Sequence, residues 1–168
     1  MITRILLNTI VLALIVFVMT TWGNIIELGG IKPDIVLIVV VWMALHQGAY
    51  TSQISGAMAG GIEDFLSLAP FGFHLTARTL LGFLTGSVRE FVGLDRLVMP
   101  VLFTLAAFGI QAVWLTMVSA IFSIDTARAP LFSLAFLYGA LYTAALAPAI
   151  FLAADGIRAG ARRFRGRF

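Results

Sequence analysis

Apolar stretches of membrane length alternate along this chain with short polar breaks. A transmembrane helix needs about 20 mostly apolar residues. Six segments approach that length, at 5–22, 33–47, 50–68, 71–89, 98–122 and 130–154. Pro33, Pro70, Pro100 and Pro130 sit at or near the first turn of a segment, where a missing N–H costs little. Pro148 lies inside the sixth segment, so a kink is expected there. The break near Gly48–Tyr50 is weakly marked, and a single broken or re-entrant element competes with two helices. The first segment is too long for a signal-peptide core, and Thr20-Thr21-Trp22-Gly23 offers no cleavage pattern. It is expected to be a retained helix, with Trp22 as an interfacial anchor.

A second pattern runs inside the third and fourth segments. Gly48, Ser52, Gly56, Gly60 and Asp64 recur at a stride of four, as do His74, Arg78, Gly82, Gly86 and Glu90. Residues four apart share a helix face. The first ladder is a small-residue groove ending in an acid, and the second begins with bases and becomes a groove. Small side chains let helix backbones approach closely in lipid. Gly48, Ser52, Gly56, Gly60, Gly82 and Gly86 are therefore candidate packing or partner-binding positions. The expected use is internal, between the third and fourth helices; a partner helix from another protein is the alternative.

Composition strengthens the membrane reading. The chain is 61% hydrophobic and 11% charged, with a mean hydropathy of +1.04. A soluble domain is about half apolar and a quarter charged. Its 168 residues fit a single transmembrane domain, 1–168, with a basic cytoplasmic tail at 155–168. The absence of cysteine excludes disulfides, thiolate metal sites and a Cys nucleophile. The net charge of +3 is no nucleic-acid signal, because it is concentrated in Arg158, Arg162, Arg163, Arg165 and Arg167. With six helices and cytoplasmic termini, those five arginines join Arg4, Arg89 and Arg96 on the inner side. Lys32 and Arg128 fall outside and Arg78 within the membrane, as the positive-inside rule favours. The tail arginines would also suit anionic headgroups.

Asp64 is expected about 6 Å below the outer boundary and Arg78 about 10 Å deep on the same side. A short turn joins their helices, making Arg78 the expected counter-ion of Asp64 or Glu63, with His74 one turn nearer the surface. An unpaired charge near a helix centre costs roughly 2.5–3.5 kcal/mol on insertion scales. Glu63, Asp64, His74 and Arg78 thus form a candidate intramembrane charge cluster. It reads as a structural clamp, a substrate or proton site, or an interfacial pair facing water.

Enzyme chemistry finds little support. There is no Gly-x-Ser-x-Gly elbow and no His-Glu-x-x-His pair. Adjacent Glu63 and Asp64 point about 100° apart on a helix. Gly82-Phe83-Leu84-Thr85-Gly86 lacks the P-loop lysine. Asn8, Gln111 and Ser119 are expected to make helix–helix hydrogen bonds. Trp42, Trp114, Tyr138 and Tyr142 are expected to pack or anchor. No catalytic residue, metal ligand or cofactor site is expected.

The order Lys32-Pro33-Asp34-Ile35-Val36-Leu37, Ala44-Leu45, Gly48, Gly56, Gly60, Asp64, Ser67, Gly72 and Gly82-Phe83-Leu84-Thr85-Gly86 resembles the MreD family of rod shape-determining proteins. The likeness is concentrated in residues 30–90, and Arg78 is not one of its hallmarks. It implies an all-α integral membrane protein of six transmembrane helices, similar to the S components of energy-coupling-factor transporters. It also implies a non-enzymatic inner-membrane subunit of the rod complex, or elongasome, supporting lateral peptidoglycan synthesis. The implied direct partner is an MreC-like bitopic protein. MreB, RodA and a class B penicillin-binding protein would be nearby, with membrane lipid around the chain and no nucleic acid.

The competing function on the same fold is a substrate-binding S component of a vitamin transporter. Such subunits dock through small residues on the first helix. Here the stride Thr9, Ala13, Phe17 is interrupted by a phenylalanine, which favours the scaffold. A scaffold retaining an outward pocket for lipid, near Glu63, Asp64 and Arg78, is a third possibility.

Overall fold

The computed structural model describes residues 2–67, 70–89, 98–123 and 133–165, and side chains within 5–160 of that set. Six α-helices follow the apolar segments: α1 Ile2–Trp22, α2 Ile35–Gln47, α3 Ala49–Leu66, α4 Phe73–Val88, α5 Val98–Phe122 and α6 Leu134–Arg165. A short 3-10 turn, Gly23–Ile26, follows α1. Among the described residues, three stretches are long and apolar enough to cross a membrane: Ile5–Ile26, Val98–Phe122 and Leu134–Gly160. Their exposed sides carry Leu6, Ile10, Leu14 and Phe17, then Val113, Met117 and Ile121, then Leu137 and Leu141. This is an all-α integral membrane protein.

The short α2 is the centre of the fold. Val36 through Leu45 are all buried, and α2 packs against each of the other five helices. It begins at Asp34, whose side chain accepts a 2.8 Å hydrogen bond from the Leu37 N–H. This satisfies one of the donors that a helix start leaves unpaired. It ends at Gly48, where φ is +89°, a backbone conformation that favours glycine. Two helices therefore meet at Gly48. They fold back on each other, because the start of α2 and the end of α3 converge on one side chain, described below.

The grooves of α3 and α4 face each other. A Cβ at Gly56 would stand 2.5 Å from the Arg78 carbonyl oxygen, and one at Gly86 would stand 2.5 Å from the Ala49 Cα. A Cβ at Gly60 would collide with the His74 carbonyl and one at Gly82 with the Ser52 carbonyl. Each step of four up α3 thus meets a step of four down α4. Glu90, the last rung of the second ladder, lies outside the described residues.

The sixth helix runs past the apolar segment to Arg165, so the basic tail at 155–168 begins as a continuation of α6. Ala and Arg are strong helix formers, and a change from apolar to charged ends a membrane span without ending a helix. Pro148 sits inside this helix.

Candidate functional site

Arg78 projects from α4 into the centre of the bundle, with only 2% of its side chain exposed. Its Nε donates to Glu63 Oε2 at 2.9 Å and its Nη2 to Glu63 Oε1 at 3.0 Å. The same Nη2 reaches both oxygens of Asp34, at 2.9 and 3.0 Å. Its Nη1 donates to Gln111 Oε1 at 2.6 Å, and the Gln111 amide returns a 3.0 Å bond to Asp34 Oδ2. One guanidinium therefore joins the start of α2, the end of α3 and the middle of α5. Its planar fork of donors suits several oxygens at once, as a lysine would not.

Asp64 is not part of that network. Its fully buried carboxylate accepts from the backbone N–H groups of Gly72 and His74 at 2.8 Å and of Leu75 at 3.1 Å. It also lies 2.8 Å from His74 Nδ1. An ionised carboxylate only accepts, so Nδ1 carries the hydrogen. Asp64 thus closes the first turn of α4, where free N–H groups and the helix dipole favour an anion. Glu63 takes Arg78 and Asp64 takes His74 because neighbouring helix residues point in different directions. The expected choice between Asp64 and Glu63 as counter-ion resolves to Glu63, joined by Asp34.

Along the sequence Asp34 stands out only as part of a motif and Gln111 only as a helix–helix contact. A signal was available for Asp34: Pro-Asp ahead of a continuous apolar run marks a helix start. Nothing local identifies Gln111 as a fourth member of the cluster.

A second polar group gathers at the other end of α2. Trp42 Nε1 donates to Asp155 Oδ1 of α6 at 3.0 Å, and His46 Nε2 lies 3.2 Å from the same oxygen. The His46 Nδ1 lies 2.9 Å from the Trp42 carbonyl, which only accepts. Nearby, Asn8 of α1 bonds Gln47 at 2.8 Å and Ser55 at 3.3 Å, joining three helices. Ser119 donates to the Leu115 carbonyl of its own helix. The Tyr142 hydroxyl bonds the Ile26 carbonyl, and Trp114 Nε1 bonds Thr76.

A cavity of about 290 Å³ adjoins the arginine cluster. Asp34 and Glu63 both line it, together with Lys32 and apolar residues of α1. Lys32 pairs with Glu27 at 3.6 Å.

The family model of the rod shape-determining protein MreD matches residues 2–154, which span the described core of all six helices. Comparison with curated proteins gives no match, and neither does comparison with solved structures.

Proposed function

The chain belongs to the MreD family of rod shape-determining proteins, and on that premise we propose that it works as a non-enzymatic scaffold of the elongasome. In this reading it lies in the bacterial inner membrane with both termini in the cytoplasm and supports lateral peptidoglycan synthesis. Its direct partner is an MreC-like bitopic protein, with MreB, RodA and a class B penicillin-binding protein close by. The observation that carries the reading is the family match across residues 2–154.

The geometry supports a structural role for the polar residues. The glycines and Ser52 hold α3 to α4, so a partner helix would dock on another face. Glu63, Asp64, His74 and Arg78 act in this proposal as clamps within the bundle. A membrane scaffold that holds a partner at fixed geometry benefits from such cross-linking, because helix association in lipid lacks a hydrophobic drive.

Affinity purification of the full chain in mild detergent, with identification of what accompanies it, tests the proposal. Recovery of an MreC-like bitopic protein is expected. Recovery of an ATPase pair with a coupling subunit would overturn it in favour of a transporter S component.

A further inference from the structure

The charges at the arginine cluster do not balance. Asp34 and Glu63 share a single guanidinium, and the other cation on the cavity, Lys32, is already paired with Glu27. Among the described residues, one negative charge therefore remains beside the cavity. Burying a charge without compensation is costly.

Of the two carboxylates, only Glu63 has spare capacity to bind. Asp34 already accepts at both oxygens twice over, from Leu37, Arg78 and Gln111. Glu63 accepts two bonds from Arg78, and a carboxylate offers about four acceptor positions. The Glu63 side chain is 18% exposed and lines the cavity.

The remaining walls restrict the ligand. Val16, Met19, Ile26 and Ile35 are apolar and suit methylenes rather than a hydrated metal ion, and Thr20 adds one hydroxyl, which donates to the Val16 carbonyl. Among the described residues no three of His, Cys, Asp and Glu converge to hold a metal. At about 290 Å³ the space lies near the lower end of ligand pockets. It suits a headgroup rather than a whole lipid. Leu14 and Phe17, on the same helix as the cavity wall, are exposed on the apolar outer surface where acyl chains lie.

We propose that this cavity binds a primary ammonium on a short aliphatic stem, supplied by the amine headgroup of a membrane lipid, with Glu63 accepting its N–H bonds. The site goes beyond the scaffold reading and stands without it, since it depends only on the chain lying in a bilayer.

Native mass spectrometry of the full chain tests this, with equal amounts of phosphatidylethanolamine, phosphatidylcholine and phosphatidylglycerol supplied in mixed micelles. Phosphatidylethanolamine should be retained about tenfold over the other two, the scale of one charge-assisted hydrogen bond. Glu63→Gln should remove that preference. Met19→Trp, which fills the cavity and leaves the charges intact, should remove it too. Equal retention of the three lipids would overturn the proposal. So would undiminished preference in a monodisperse Met19→Trp protein, which decides the matter if Glu63→Gln does not fold. Stabilisation by free hexylamine without phosphatidylethanolamine retention would overturn the lipid as the source.

Discussion

Gly56 of α3 lies directly against the backbone carbonyl of Arg78 in α4, with no room for a side chain between them. This close approach is what sets the guanidinium within reach of α2, α3 and α5 together. The groove and the charge cluster, which look like separate features along the chain, are consequences of one helix contact.

Gly56→Ala should therefore be costly. The atoms it meets are backbone, which cannot rotate away, and overpacking a tight site costs typically about 1–3 kcal/mol. Gly109, with nothing within 4 Å of a Cβ, provides the control. Thermal unfolding in detergent should show a lowered midpoint for Gly56→Ala and no loss for Gly109→Ala. Equal behaviour of the two would contradict the packing.

Arg78→Gln leaves two carboxylates facing each other without a cation. Breaking a buried ion pair from one side costs about 3–5 kcal/mol. Adding Glu63→Gln should restore part of the folded yield, with a coupling of about 0.5–3 kcal/mol in a double-mutant cycle. Adding Asp64→Asn instead should give no such recovery, because Asp64 does not contact Arg78. Coupling to Asp64 in place of Glu63 would refute the assignment.

Asp64→Ala removes the acceptor for three backbone N–H groups at the start of α4. Loss of a helix cap costs about 0.5–2 kcal/mol. Hydrogen exchange should rise most at Gly72, His74 and Leu75. Unchanged protection there would mean that Asp64 does not hold that turn.

Asp155→Ala should loosen α6 from α2 by removing the acceptor of the Trp42 indole N–H. Asp155→Asn keeps an acceptor oxygen and should lose less. Leaving the indole N–H of the buried Trp42 without its acceptor costs about 1–3 kcal/mol. Hydrogen exchange along the last turns of α6 separates the two variants; identical profiles would argue against the contact.

Much of the architecture was legible along the chain. Apolar length identified six helices, and the prolines near their starts placed several boundaries within a few residues. The end of α6 was not legible in this way: hydropathy reports where lipid ends, whereas helix propensity continues through Ala and Arg to Arg165. The stride of four alone places Gly56, Gly60, Gly82 and Gly86 on defined helix faces.

What the sequence by itself determined is therefore local: which residues form helices, and which share a face. Tertiary structure decided the partners. It set α4 against α3, gave Arg78 to Glu63 and Asp34, and gave Asp64 to the start of α4. The physical reason is that helix geometry fixes the direction of each side chain relative to its own axis only. Asp34 and Gln111 lie 44 and 33 residues from Arg78 along the chain. No spacing rule reaches that far, and only the packing of four helices brings those side chains to one guanidinium.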